Sequence, residues 1–336
     1  MVTIISGIAL LLITLAAFSL FSLKMPKGQA AMSGMANAAV ATFLVEAIMS
    51  YIAGDLFGIS FFKDVGSIAG GMGGVAAAAL VPMGMGASPV LSMCAGVAVG
   101  GYGILPGFIA GYVVGLIGPA IEKKLPEGLD VIVGALAVAS VARAIAAFVN
   151  PGVTMVLSII GKTITEATLT SPIIMGFLLG GIIKMICTSR LSSMALTAML
   201  GLTGLPMGIA AVACFGGSFT NGTIFKRLHF GNNGNVIAVM LEPLTQADIV
   251  TTHPIPIYGS NFFGGGIAGV GAAMLGIVNN APGTASPIPG MLAPFAFNAP
   301  GKVVMALAIA AVGGGIAGFI GSIVFKKFDE GVEAVD

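Results

Sequence analysis

The run Lys162-Thr163-Ile164-Thr165-Glu166-Ala167-Thr168-Leu169-Thr170-Ser171-Pro172 sets one carboxylate among five hydroxyl side chains. A carboxylate accepts hydrogen bonds and a hydroxyl both donates and accepts, so such a run suits the adjacent hydroxyls of a sugar or polyol. A second polar stretch supplies Glu242, Thr245, Gln246, Asp248, Thr251, Thr252 and His253. His253 could donate, accept or exchange a proton near neutral pH. A third stretch, Asn279–Ser286, carries Asn280 and no charge. The candidate solute-binding residues are therefore Glu166, Thr165, Thr168, Ser171, Glu242, Gln246, Asp248, His253 and Asn280. Structural readings fit some of the same residues. Glu166 could cap a helix end or pair with Lys162, Glu242 could anchor the turn at Pro243, and His253 could hold the turn before Pro254.

The chemistry these groups suggest is binding rather than catalysis. The chain carries no nucleophile triad, no metal-ligand spacing and no phosphate loop, so neither a metal nor a cofactor is expected. Its Gly-x-Gly pairs lack the strand and downstream acid of a dinucleotide site. Cys94, Cys187 and Cys214 lie in apolar surroundings without C-x-x-C spacing and read as small buried hydrophobes. A net charge of +1 gives no basic patch for nucleic acid.

The elements that position these groups must lie in a bilayer. Only 8% of residues are charged, against roughly a quarter in soluble domains, and the mean hydropathy is +1.06. Polar groups at membrane depth persist where they line a cavity or a solute path. The 51 glycines suit close helix packing. Met1–Leu23 is apolar from its start, without a basic leader or a small-residue cleavage site, and reads as a retained span.

Windows of about 20 apolar residues predict further spans at Gln29–Gly54, Leu105–Ile121, Val131–Val149, Pro172–Thr188 and Val303–Phe325. Pro151–Ile160, Leu191–Gly204, Leu205–Gly217 and Phe262–Val278 read as additional membrane segments. Ser67–Gly103 is interrupted at Pro82–Pro89, and Asn279–Pro300 is rich in proline, so both read as broken or re-entrant elements. Thr220–Asn235, the most hydrophilic internal stretch, reads as a solvent loop. Lys226, Arg227, Lys326 and Lys327 favour the cytoplasm for that loop and for the C-terminus. Arg143, in mid-span, requires a partner or a cavity; the structural reading is an ion pair with an acid within the bundle. Lys184 and Arg190, near a span end, are expected to snorkel to the interface. Ser88-Pro89, Ser171-Pro172 and Ser286-Pro287 each precede an apolar run and could head repeated halves.

The expected fold is an all-α membrane protein of about ten transmembrane helices with two re-entrant hairpins. One polytopic domain covers residues 1–328, which could divide at 124/125, and an acidic tail follows at 329–336.

The segments Thr165-Glu166-Ala167-Thr168, Ser171-Pro172-Ile173-Ile174-Met175-Gly176, Leu191–Leu196 and Met199–Gly204 resemble the membrane component, enzyme IIC, of the bacterial phosphoenolpyruvate-dependent sugar phosphotransferase system. The resemblance is to the stand-alone type that includes a perfringolysin-regulator-like branch. Leu125-Pro126-Glu127-Gly128-Leu129-Asp130-Val131-Ile132-Val133 is similar to the segment joining the halves of fructose-type IIC proteins. The resemblance implies a homodimer in the bacterial inner membrane that moves a sugar or polyol by elevator-like alternating access. It implies no catalytic residues in the chain itself; separate IIA and IIB partners would deliver the phosphate. It also implies a glutamate and a histidine at the sugar, for which Glu166, Glu242 and His253 are the candidates. The competing classes are a membrane regulator or sensor that binds a solute without transport, and a carrier or channel uncoupled from phosphorylation.

Overall fold

The computed structural model describes residues 2–126, 128–129, 132, 134–189 and 191–329. Readings placed on Glu127, Asp130, Val131, Val133, Arg190 and the tail beyond Asp329 lie outside those residues. All the regular structure described is helical. α1 is Val2–Lys24, and its 23 residues rise about 34 Å at ~1.5 Å each, enough for a hydrocarbon core of about 30 Å. α2 (Gly28–Ala39) continues through π-helical turns to Leu56. α3 (Ser60–Gly71), α4 (Gly73–Gly84), α5 (Pro89–Ala98) and α6 (Ile104–Lys124) follow, then α7 (Ala139–Thr170) and α8 (Pro172–Thr188). The remainder is α9 (Ser193–Met199), α10 (Gly204–Arg227), α11 (Asn233–Leu241), α12 (Ala247–Thr252), α13 (Pro254–Met274), α14 (Pro287–Leu292) and α15 (Pro300–Val324).

Six helical stretches are long and apolar enough to cross a membrane, and the pair α3–α4, bent by 55°, could supply a seventh. Each Ser-Pro pair starts a helix, with Ser88, Ser171 and Ser286 at the N-cap and proline in the first turn. Proline needs no backbone donor there, where the helix has none to use.

Three expectations are corrected. Pro151 does not separate two elements but lies inside α7. Leu191–Gly204 contains only the short α9, too short to span. Thr220–Asn235 is a solvent-exposed turn only in its later part: α10 runs on to Arg227, Thr220 and Asn221 are fully buried, and Gly231–Gly234 are exposed. Thr220 and Arg227 bond to a neighbouring helix. Thr220 Oγ1 donates to Gly314 O at 2.9 Å, and Arg227 Nε donates to Ser322 Oγ at 2.7 Å.

By internal packing the chain forms two compact units. One runs from Leu11 to Gly161 and includes Met194–Gly201. In it α4 packs against α2, α5 and α6 around a core of small residues such as Ala78, Ala95, Ala110 and Val114. The break between α4 and α5 is held by charge. Lys27 Nζ donates to Met85 O at the end of α4, and Ser88 N donates to Glu122 Oε1 at 3.1 Å ahead of α5. A cation at a helix C-terminus and a carboxylate at an N-terminus both oppose the local partial charge. Arg143 serves the other end of α5. It is exposed, donates to Gly100 O at 2.6 Å and Ala98 O at 3.2 Å, and covers the Tyr102 ring at 4.4 Å. Its partners are carbonyls and an aromatic face, not the expected acid.

The other unit holds the start of α1 to Leu10, Lys162–Ser193 and the chain from Leu202 onward. α10 is its centre and packs against α8, α11, α13, α14 and α15. α8 and α13 cross most closely: a methyl group on Gly269 would strike Gly176 O, and one on Gly180 would strike Gly265 O. Backbones approach that closely only where both helices lack side chains.

Candidate solute site

The unit centred on α10 holds every residue singled out in the sequence as a solute ligand. Glu166 lies near the end of α7 with an exposed side chain, and Thr165 is half-buried. Thr168 is fully buried, but its hydroxyl donates back to Ile164 O at 2.8 Å, the usual satisfaction of a helical threonine. Ser171 sits at the N-cap of α8 without a side-chain cap bond. Asn280 Oδ1 accepts from Gly204 N at 3.1 Å, tying the segment after α13 to the start of α10.

The second polar stretch folds as a connector. Glu242 ends α11 in an extended conformation, and Pro243 opens a 3-10 turn over Pro243–Gln246. Gln246 Oε1 accepts from Asn235 Nδ2 at 2.7 Å, while Asp248 is exposed in the first turn of α12. His253 stacks on buried Phe230, with ring centroids 4.1 Å apart and planes 20° from parallel. Its Nδ1 lies 2.9 Å from Thr252 Oγ1 and 3.3 Å from Ile249 O. Phe230 belongs to an apolar cluster with Ile224, Phe225, Val250 and Ile257. These contacts suit the reading of His253 as the holder of a turn.

Glu242 is different. Its 3-10 turn packs against α8, and its Oε1 accepts from Leu244 N at 3.4 Å. It lies outside the six candidate spans. Burial pushes its carboxyl above the usual carboxylate range, opposed by the Leu244 N–H and by the charge of Lys184. That electrostatic contact points to a group of side chains the sequence reading did not assemble.

Lys184 is fully buried on α8, and its Nζ has no hydrogen-bond partner. It does not snorkel to an interface. The stem fits because both facing helices are bare: a methyl group on Gly217 of α10 would collide with Cγ, Cδ and Cε, and one on Gly265 of α13 with Cβ. One turn along from those glycines lie Asn221 and Asn261. Asn261 Nδ2 donates to Asn221 Oδ1 at 2.6 Å and to Ile257 O at 2.8 Å. Both asparagines are fully buried. Asn221 Nδ2 and Asn261 Oδ1 are left without partners, as are the buried hydroxyls Ser218 Oγ and Ser260 Oγ.

Buried polar atoms without partners are rare in folded proteins, and each costs about 1–3 kcal/mol. Here α10 and α13 contribute an amide donor, an amide acceptor and two hydroxyls. Such a set can bind the paired hydroxyls of a solute, because each hydroxyl needs both a donor and an acceptor. The sequence does carry a signal for it. Ser218, Asn221, Ser260 and Asn261 all lie in helices dense in glycine, where polar side chains are not diluted by loop context.

A family model described as "Phosphotransferase system, EIIC" matches residues 29–333. No curated protein and no solved structure gives a match.

Proposed function

Because the chain belongs to the EIIC family of the phosphotransferase system, we propose that this membrane permease carries a polyhydroxylated solute by alternating access. Family membership makes it a multi-pass phosphotransferase-type permease, with IIA and IIB components as its general partners. The solute is a sugar or polyol. It sits between α10 and α13, its hydroxyls meeting Asn221, Asn261, Ser218 and Ser260, with Glu242 beside it. The single observation that carries this reading is the Asn221–Asn261 pair, which leaves one donor and one acceptor unused at full burial. The unit centred on α10 carries the solute, and the other unit serves as scaffold in a homodimer. About ten membrane segments, two of them re-entrant around Pro82–Pro89 and Asn279–Pro300, complete the architecture. Phosphate reaches the solute from the IIB partner on the cytoplasmic side, since the groups named here bind and do not transfer.

Uptake of labelled sugars and polyols into cells carrying the chain with its IIA and IIB partners tests this. The reading requires accumulation of at least one such compound, and its loss by roughly tenfold or more (about 1.4 kcal/mol per tenfold) in Asn261→Leu. Uptake unchanged by Asn261→Leu and by Asn221→Leu would refute the site. Absence of uptake for every hydroxylated compound would refute the function.

A further inference from the structure

We infer that the solute of this permease carries a carboxylate, and that Lys184 is the cation that receives it. The inference rests on the reading of α10 and α13 as the solute site and adds the chemical class of what binds there.

Lys184 stands one turn before the end of the apolar helix α8, fully buried, with Nζ making no hydrogen bond. An isolated buried ammonium is costly, with an effective penalty of several kcal/mol unless an anion completes it. An apolar side chain of similar length would fill the same groove between Gly217 and Gly265 at no such cost. The groove shapes the stem and leaves the charged end unsatisfied.

No acidic group in the surroundings bonds to Nζ. Glu242 interacts with Lys184 through space, but Nζ bonds to no acceptor, and the Glu242 carboxyl accepts from the Leu244 N–H. The buried thiols of Cys187 and Cys214 also feel the Lys184 charge, and neither bonds to Nζ. Three ammonium donors therefore remain for a ligand.

A carboxylate matches one ammonium in charge. A phosphate would bring a second negative charge close to Glu242, where no further cation is found among the groups interacting with it. A neutral sugar would satisfy the Asn221–Asn261 pair and leave Nζ bare. A sugar acid satisfies both: its hydroxyls meet the amides and serines, and its carboxylate meets Lys184 on the neighbouring α8. The class is the aldonic and uronic acids.

The full chain in lipid nanodiscs should be titrated with D-gluconate, D-glucuronate, sorbitol, D-glucose, acetate and inorganic phosphate. The expected result is binding of an acid at least tenfold tighter than its neutral counterpart. Lys184→Met, shown to be folded by its unfolding midpoint in nanodiscs, should bring the acid down to the affinity of the neutral compound. Neutral compounds binding as well as the acids, with Lys184→Met altering neither, would overturn the inference and leave the permease reading standing. Phosphate competing as well as the sugar acids would overturn the carboxylate assignment. Failure of every hydroxylated compound to bind would overturn both readings together.

Discussion

Asn261 Nδ2 reaches Asn221 Oδ1 across 2.6 Å, joining α13 to α10 where both side chains are fully buried. The bond satisfies only half of each amide, because Asn221 Nδ2 and Asn261 Oδ1 stay unpaired. A purely structural pair would be expected to use all its groups, and the proposed solute site uses the two that remain.

Removing one member of this pair should cost more than removing both. Asn221→Leu or Asn261→Leu leaves its partner buried and unsatisfied, a destabilisation of about 1–3 kcal/mol. The double replacement substitutes apolar contact for both and should fall well below the sum of the two singles. Unfolding midpoints of the four proteins in detergent give the cycle; strict additivity would contradict a direct pair.

Gly217→Ala should destabilise the unit by about 1–3 kcal/mol through overpacking, since its methyl group meets the buried stem of Lys184. Adding Lys184→Ala should relieve most of that loss. A Gly217→Ala protein as stable as the parent would mean the stem does not occupy this groove.

Glu242 should make stability depend on pH. Its folded carboxyl is raised above 4.5, chiefly by burial, so the folded state binds the proton more tightly than the unfolded chain. The resulting stabilisation is complete below the unfolded value and is lost as pH rises through the folded one. Glu242→Gln, which stays neutral, should flatten the decline on the alkaline side of 4.5. Parallel pH profiles for the two proteins would show that Glu242 is not the group responsible.

His253 should prove structural. Its ring lies on Phe230, and a stacked aromatic pair contributes about 0.5–1.5 kcal/mol beyond burial. His253→Phe should preserve stability, solute binding and the pH profile of uptake, whereas His253→Ala should lower stability alone. A change in the uptake profile of His253→Phe would return the histidine to the solute site.

Much of the architecture was legible in the sequence, because hydrophobic length and proline position are local signals. The helix starts at Pro89, Pro172 and Pro287 follow from proline being favoured in the first turn, although Pro151 lies inside α7. The site was less legible because burial is not local. Thr220, Asn221 and Arg227 read as loop residues by composition, yet Gly314 and Ser322 of α15 meet Thr220 and Arg227, and Asn261 of α13 meets Asn221. Lys184 reads as interfacial by its distance from a span end. Only the packing of Gly217 and Gly265 around its stem shows it to be enclosed. Conversely, Glu166 stood out in the sequence by the contrast of one acid in an apolar chain, and its side chain is exposed.

The most direct test of the account is an experimental structure of the protein in nanodiscs saturated with a solute identified by uptake. Solute density should lie between α10 and α13, with hydroxyls within hydrogen-bond distance, about 2.7–3.2 Å, of Asn221 Nδ2 and Asn261 Oδ1. Density centred instead on the Glu166 stretch, with the Asn221–Asn261 amides untouched, would contradict it.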